Sequence, residues 1–217
     1  MKCPMAVAFC AVLLPVTLQS QQGTQYAVSG LAGQDLVHST AATTTDRFSG
    51  LMLGAEGALV SDRFVVRLRY TEGHITPKST AEGTTPDARD VVAGSAVFGY
   101  RAVPWLTLWG GPSARAYTLG SRDQRWLIWT AGATARGNIV PGRMQTFVEL
   151  WSAVSGTVGN PSVNAGGSGA NGGLEVRLGE AAAFWSRLGY RIEATHAQGM
   201  RETVESLTLS LVYGLPQ

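Results

Sequence analysis

The sequence predicts an all-β fold, a ten-stranded antiparallel up-and-down transmembrane β-barrel preceded by an export signal. Three observations predict it. Apolar and polar residues alternate with period two in ten separate stretches, which gives each a greasy and a wet face. The connections between the stretches are by turns tight and long. The N-terminus has Lys2, an apolar run from Met5 to Leu18 and then Gln19-Ser-Gln-Gln22, the layout of a cleaved secretory signal.

The signal is expected at residues 1–20 and the barrel at 21–217. The apolar run is too short for a spanning helix, and Pro15 would interrupt one. A first strand is expected at Gln25 to Gly33, before a polar, threonine-rich stretch from Gln34 to Arg47. Phe48 to Val60 turns tightly through Ser61-Asp-Arg63 into Phe64 to Tyr70, where Phe64, Val66, Leu68 and Tyr70 oppose Val65, Arg67 and Arg69. Ile75 to Arg89, with Pro77, Gly83 and Pro86, is expected as a long loop. Asp90 to Tyr100 and Trp105 to Thr118 follow, joined by Arg101-Ala-Val-Pro104. A medium loop, Leu119 to Arg125, precedes Trp126 to Ile139, and Val140-Pro-Gly-Arg143 turns into Met144 to Ser155. Gly156 to Asn171 reads as a flexible loop rich in Gly, Ser and Asn. Gly172 to Leu178 turns through Gly179-Glu-Ala-Ala182 into Phe184 to Thr195. His196 to Glu202 then leads to a closing strand, Thr203 to Leu215.

Both cysteines, Cys3 and Cys10, fall within the signal, so the mature barrel has neither a disulfide nor a cysteine metal site. Removing Lys2 takes the formal charge from +2 to about +1. That balance argues against nucleic acid as a partner, which would favour a strongly basic face. The tight turns recur about every 40 residues, a spacing that also suits propeller blades. Unbroken alternation from Phe64 to Tyr70 and from Phe184 to Ala194 leaves no space for four short strands per repeat, so each repeat is one long hairpin.

Alternation alone does not tell a membrane barrel from an exported soluble barrel holding a small apolar ligand, because the two differ only in which face is greasy. Strands of roughly 9 to 11 residues match a tilted crossing. Phe48, Phe64, Tyr100, Trp105, Trp126, Phe184 and Tyr213 lie near strand ends, where interfacial belts form. Closure leaves no unpaired backbone edge in lipid.

With these features the chain resembles the small outer-membrane β-barrels of Gram-negative bacteria, the OmpA-, OmpX- and OmpW-like group. The resemblance is one of pattern over the whole mature chain. It implies an outer-membrane location, surrounding outer-membrane lipid, and recognition of the last strand by the barrel assembly machinery. Leu207-Thr-Leu-Ser-Leu-Val-Tyr213 is similar to such a last strand, although the chain continues through Gly214-Leu-Pro-Gln217.

Strand parity directs Glu56, Arg67, Arg69, Arg115, Arg136, Glu149, Glu175, Arg177, Arg187, Arg191 and Glu193 into the lumen, a surplus of arginine over glutamate. Ten strands are near the size at which side chains still fill a barrel, which favours a plug of paired charges over a narrow anion passage. Catalysis is not expected. Lipid A deacylases, another barrel group, carry His-x-Ser-Asn near the end of the penultimate strand, whereas His196-Ala-Gln-Gly199 has no serine nucleophile. Neither a metal nor a cofactor is expected, since His38, His74 and His196 lack ligand spacing. The far-side loops are where an extracellular partner would bind.

Overall fold

The computed structural model describes residues 24–41, 44–79, 87–119, 122–159, 163–179 and 183–214; the expected signal lies outside them. These form ten strands: β1 (Thr24–Ala41), β2 (Thr44–Ser61), β3 (Phe64–Ser79), β4 (Arg89–Val103), β5 (Leu106–Leu119), β6 (Arg122–Val140), β7 (Met144–Val158), β8 (Val163–Arg177), β9 (Phe184–Ala197) and β10 (Met200–Gly214). Each pairs antiparallel with its sequence neighbours, and β1 pairs with β10 to close the barrel. Closure satisfies the backbone groups of every strand and removes the sheet edge.

The register sets the barrel's shape. Pairing followed from Phe64 through Tyr100, Leu108, Ala133, Leu150, Ala170, Ile192, Glu205, Leu36 and Ser49 returns to β3 at Thr76, a stagger of twelve residues. With ordinary strand rise and spacing, ten strands and this stagger give a tilt of roughly 40° and a backbone radius of about 10 Å.

The ten expected strands are all present, but they run well past their expected far ends. Most of Gln34 to Arg47 and of Leu119 to Arg125 is strand, and β3 takes in the first five residues of Ile75 to Arg89, whose residues 80–86 lie outside the described ones. His196 to Glu202 is a tight turn at Gln198 and Gly199, where Gly199 takes a φ of 70°. The expected flexible loop from Gly156 to Asn171 is mostly β7 and β8. Short turns therefore do not alternate with long loops. Only the β3–β4 connection separates its strands widely on the far side.

These extensions were hidden because the strands reverse their polarity part-way up. On the lower part of β3 the outward residues are Phe64, Val66, Leu68 and Tyr70, and the inward ones include Arg67 and Arg69. Higher up, Glu72, His74 and Lys78 face out while Ile75 is wholly buried inside. β10 behaves alike, with Leu211, Leu209 and Leu207 outside below, Glu205 and Arg201 outside above, and Val204 buried within. The lower barrel is thus greasy outside and polar inside. The upper part, a crown, has an ordinary apolar core of Val37, Phe48, Met52, Ile75, Val91, Tyr117, Trp126, Ile128, Val158 and Val204. Phe48 and Trp126 belong to this core and not to an interfacial belt, because their strands continue beyond them.

Around the lower barrel no described Asp, Glu, Lys or Arg side chain faces out between Phe64 and Tyr70, Leu207 and Tyr213, or Val92 and Tyr100. Leu68, Leu188 and Leu209 are 57%, 49% and 58% exposed there. Over about nine residues per strand this band rises roughly 23 Å, close to the apolar height of outer-membrane barrels. A lower belt of Tyr26, Phe64, Tyr100, Trp105, Phe184 and Tyr213 is tied by ring contacts, Phe64 to Tyr100 at 5.8 Å and Phe184 to Tyr213 at 5.1 Å. At its upper edge the Tyr70 and Tyr190 hydroxyls donate to Glu72 (2.7 Å) and Glu205 (2.6 Å).

The glycines of β8 serve packing. Gly169 lies under the Trp151 ring, and a Cβ on Gly173 would stand 2.9 Å from Phe147. Both rings lean across this bare strand into the lumen. Gly169→Val should push Trp151 aside and destabilise the barrel by about 1–3 kcal/mol. Thermal unfolding in detergent would measure it, and a Trp151→Ala background should recover part of the loss.

Candidate functional site

The lower lumen gathers the charged residues named from the sequence with the exception of Arg177, and alternation is what brings them there: each is an inward position of its strand. Glu149, buried on β7, accepts hydrogen bonds from Arg67, from Thr134 (3.1 Å) and from Asn171 (3.3 Å). Glu175 on β8 is wholly buried and accepts from Arg136 (2.8 Å) and from Nε of Arg187 (2.7 Å). Arg187 also donates to Glu56, 2.9 Å away on β2 across the lumen. Arg191 donates to Glu193, whose other oxygen lies 3.3 Å from Arg115. A chain of charge-assisted bonds therefore crosses the lumen, and Arg187 is held at once by Glu175 and Glu56.

Aromatic faces support the same arginines. Arg191 stacks 4.5 Å from Trp151, Arg67 lies 5.7 Å from Trp109, and Arg136 and Arg187 lie 5.6 and 5.7 Å from Phe147. Trp109 donates its indole N–H to Thr134 (3.0 Å), which links this layer to Glu149. A desolvated guanidinium gains most from such a face.

Two corrections follow for the expected residues. Arg177 is exposed at the turn end of β8. Glu202, Asp35 and Arg89, absent from the expected set, face inward. Glu202 is buried, accepts from Tyr117 (2.6 Å) and Arg115 (3.2 Å), and carries the network up into the crown. Below the level of Arg89 the counts are equal: Arg67, Arg69, Arg115, Arg136, Arg187 and Arg191 face Glu56, Glu149, Glu175, Glu193, Glu202 and Asp35. The parity of Asp35 and Glu202 was readable, but both lie in stretches expected to be loop. Arg89, above, stacks 3.9 Å from Phe48.

The space left is small. Cavities lined by these side chains measure about 30 to 50 Å³ each, enough for a few waters. The crown's apolar core lies above them, and Ala27, Trp185 and Val212 pack below.

Of the histidines, His74 pairs with Asp90 at 2.7 Å on the outer surface of the crown. His196, also outward, stands in register with Arg201 on one side and Gly166 on the other. No group of three metal-ligating side chains occurs among the described residues.

The sequence matches no protein-family model and no curated protein. Solved structures do share its fold. The outer membrane protease OmpT from Escherichia coli covers 89% of this chain and 97% of its own, at 9% identity and a TM-score of 0.52. The translocator domain of autotransporter NalP from Neisseria meningitidis has 13% identity and a TM-score of 0.46, covering 89% and 90%. An outer membrane channel from Pseudomonas putida F1 has 11% identity and a TM-score of 0.47, covering 89% and 96%. The likeness is one of fold. The chain is a closed ten-stranded antiparallel barrel of the outer-membrane type.

Glu175 is the most demanding member of the network, since it holds two arginines with no exposure of its own. Glu175→Ala should cost about 3–5 kcal/mol, because Arg136 and Arg187 lose their shared partner. Urea unfolding of the folded barrel would measure this, with Glu175→Gln expected to lose less.

Proposed function

We propose that this chain is a non-enzymatic outer-membrane barrel whose filled interior makes it a rigid scaffold with a structural or surface-interaction role. The observation that carries the reading is the lower lumen. Its charges are equal in number, most are hydrogen-bonded to one another across the lumen, and the cavities they line measure about 30 to 50 Å³ each. A solute passage would need a continuous wet path and ligands weak enough to release it. Here apolar side chains stand at both ends of the charged layer.

Outer-membrane placement is supported by the charge-free apolar band and by its height. In water more than thirty exposed large apolar side chains would form a patch far beyond the few hundred Å² that soluble proteins carry. The same band argues against the exported soluble barrel with an apolar ligand, which would bury it. Enzyme activity has little support: the register neighbours of His196 are Arg201 and Gly166, neither a nucleophile. The crown, rising about 15 Å above the band, is the surface offered to an extracellular partner. The assembly machinery and membrane lipid are the partners that biogenesis and residence require.

Reconstitution into planar bilayers should give no steady conductance steps. Reproducible anion-selective steps would overturn the plugged reading. Separately, the folded chain should need detergent for extraction and should change electrophoretic mobility on boiling; a chain that purifies without detergent contradicts the membrane placement.

A further inference from the structure

We propose that one side of the crown is a docking surface for the phosphate groups of the lipid headgroups around the barrel, an inference that rests on the membrane placement above. The outward positions at the top of β9, β10, β1, β2 and β3 are His196, Arg201, His38, Arg47 and Lys78. Register makes them one row. Arg201 pairs with His196 on one side and Thr40 on the other, His38 pairs with Arg47, and Arg47 pairs with Ser79 beside Lys78. Directly paired side chains on one face start only about 5 Å apart, close enough for neighbouring residues to share one phosphate group.

Arg47, Lys78 and Arg201 are exposed, and none of their side chains makes an ion pair or hydrogen bond with another described residue. In the lumen, by contrast, Arg67, Arg136, Arg187 and Arg191 hold glutamates and lie against rings. The nearby outward acids are already occupied. Tyr190 donates to Glu205, Tyr70 to Glu72, and His74 is bonded to Asp90. The opposite side of the crown presents Thr118, Arg125, Thr157 and Asn164 at the corresponding positions.

Chemistry and height then agree on the occupant. Guanidinium forks and an ammonium recognise phosphate oxygens, while an acyl chain needs an apolar wall. Below the row, Leu51, Leu53, Leu207 and Ile192 form such a wall. The row stands roughly 10 to 15 Å above it, outside the hydrocarbon and on the polar side of the band. One amphiphile can meet both surfaces at once.

The purified barrel in a zwitterionic detergent would be titrated with lipid A bearing two phosphates and with lipid A stripped of them. Wild type should bind the phosphorylated form at least tenfold more tightly, and its affinity should fall as salt rises. The triple variant Arg47→Gln, Lys78→Gln, Arg201→Gln should lose that preference while keeping its shift on boiling, and Arg125→Gln should retain it. Equal affinity of wild type and triple variant, or salt-independent binding by wild type, would overturn the proposal. So would inorganic phosphate binding as tightly as the lipid. A misfolded triple variant leaves the wild-type salt dependence and the two lipids to decide. Detergent-free solubility of wild type defeats the membrane placement itself, whatever the titration reads.

Discussion

A β-strand in a lipid wall has two faces and one chain, and lipid refuses charge on the outer face by about 2 to 4 kcal/mol per arginine near the midplane. In the proposed membrane placement this is why the described arginines and glutamates in the middle of the lower strands are turned inward. Ten strands enclose too little space to hydrate so many ions separately, so they must neutralise one another. The chain of bonds from Glu56 through Arg187 and Glu175 to Arg136 is the outcome. Burial of charge here follows from exclusion elsewhere, and the filled lumen follows from the burial.

The aromatic layer answers a second demand. Arginines with shared carboxylates still present flat faces, and Trp151 and Phe147 cover them. Rings of that size fit beside the charges only because β8 gives them Gly169 and Gly173. The strand that looks least like a strand thus provides the room on which the network's packing depends.

This explains what could be read from the chain. Period-two alternation located all ten strands, and parity alone sent Arg67, Glu149, Arg187 and their companions inside. It failed where alternation changes meaning. Above Tyr70 the outward positions turn polar and the inward ones apolar, so Gln34 to Arg47 and Ile75 to Arg89 resemble loop when their faces are averaged. Glu202 and Asp35 went unnoticed for that reason, and with them the balance of the lumen. β8 failed differently: glycine's low strand propensity is outweighed by pairing with β7 and β9 on both sides. The network's partners, such as Glu56 with Arg187 across the axis, depend on closure and stagger and could not be seen in any single strand.

The reversal of polarity along β3 and β10 also gives the barrel a waterline. Sinking by two residues would drag Glu72 and Glu205 into hydrocarbon, and rising by two would lift Leu68 and Leu209 toward water. In the membrane placement proposed above, β3 and β10 resist both displacements, so the depth of the barrel is written into its strands.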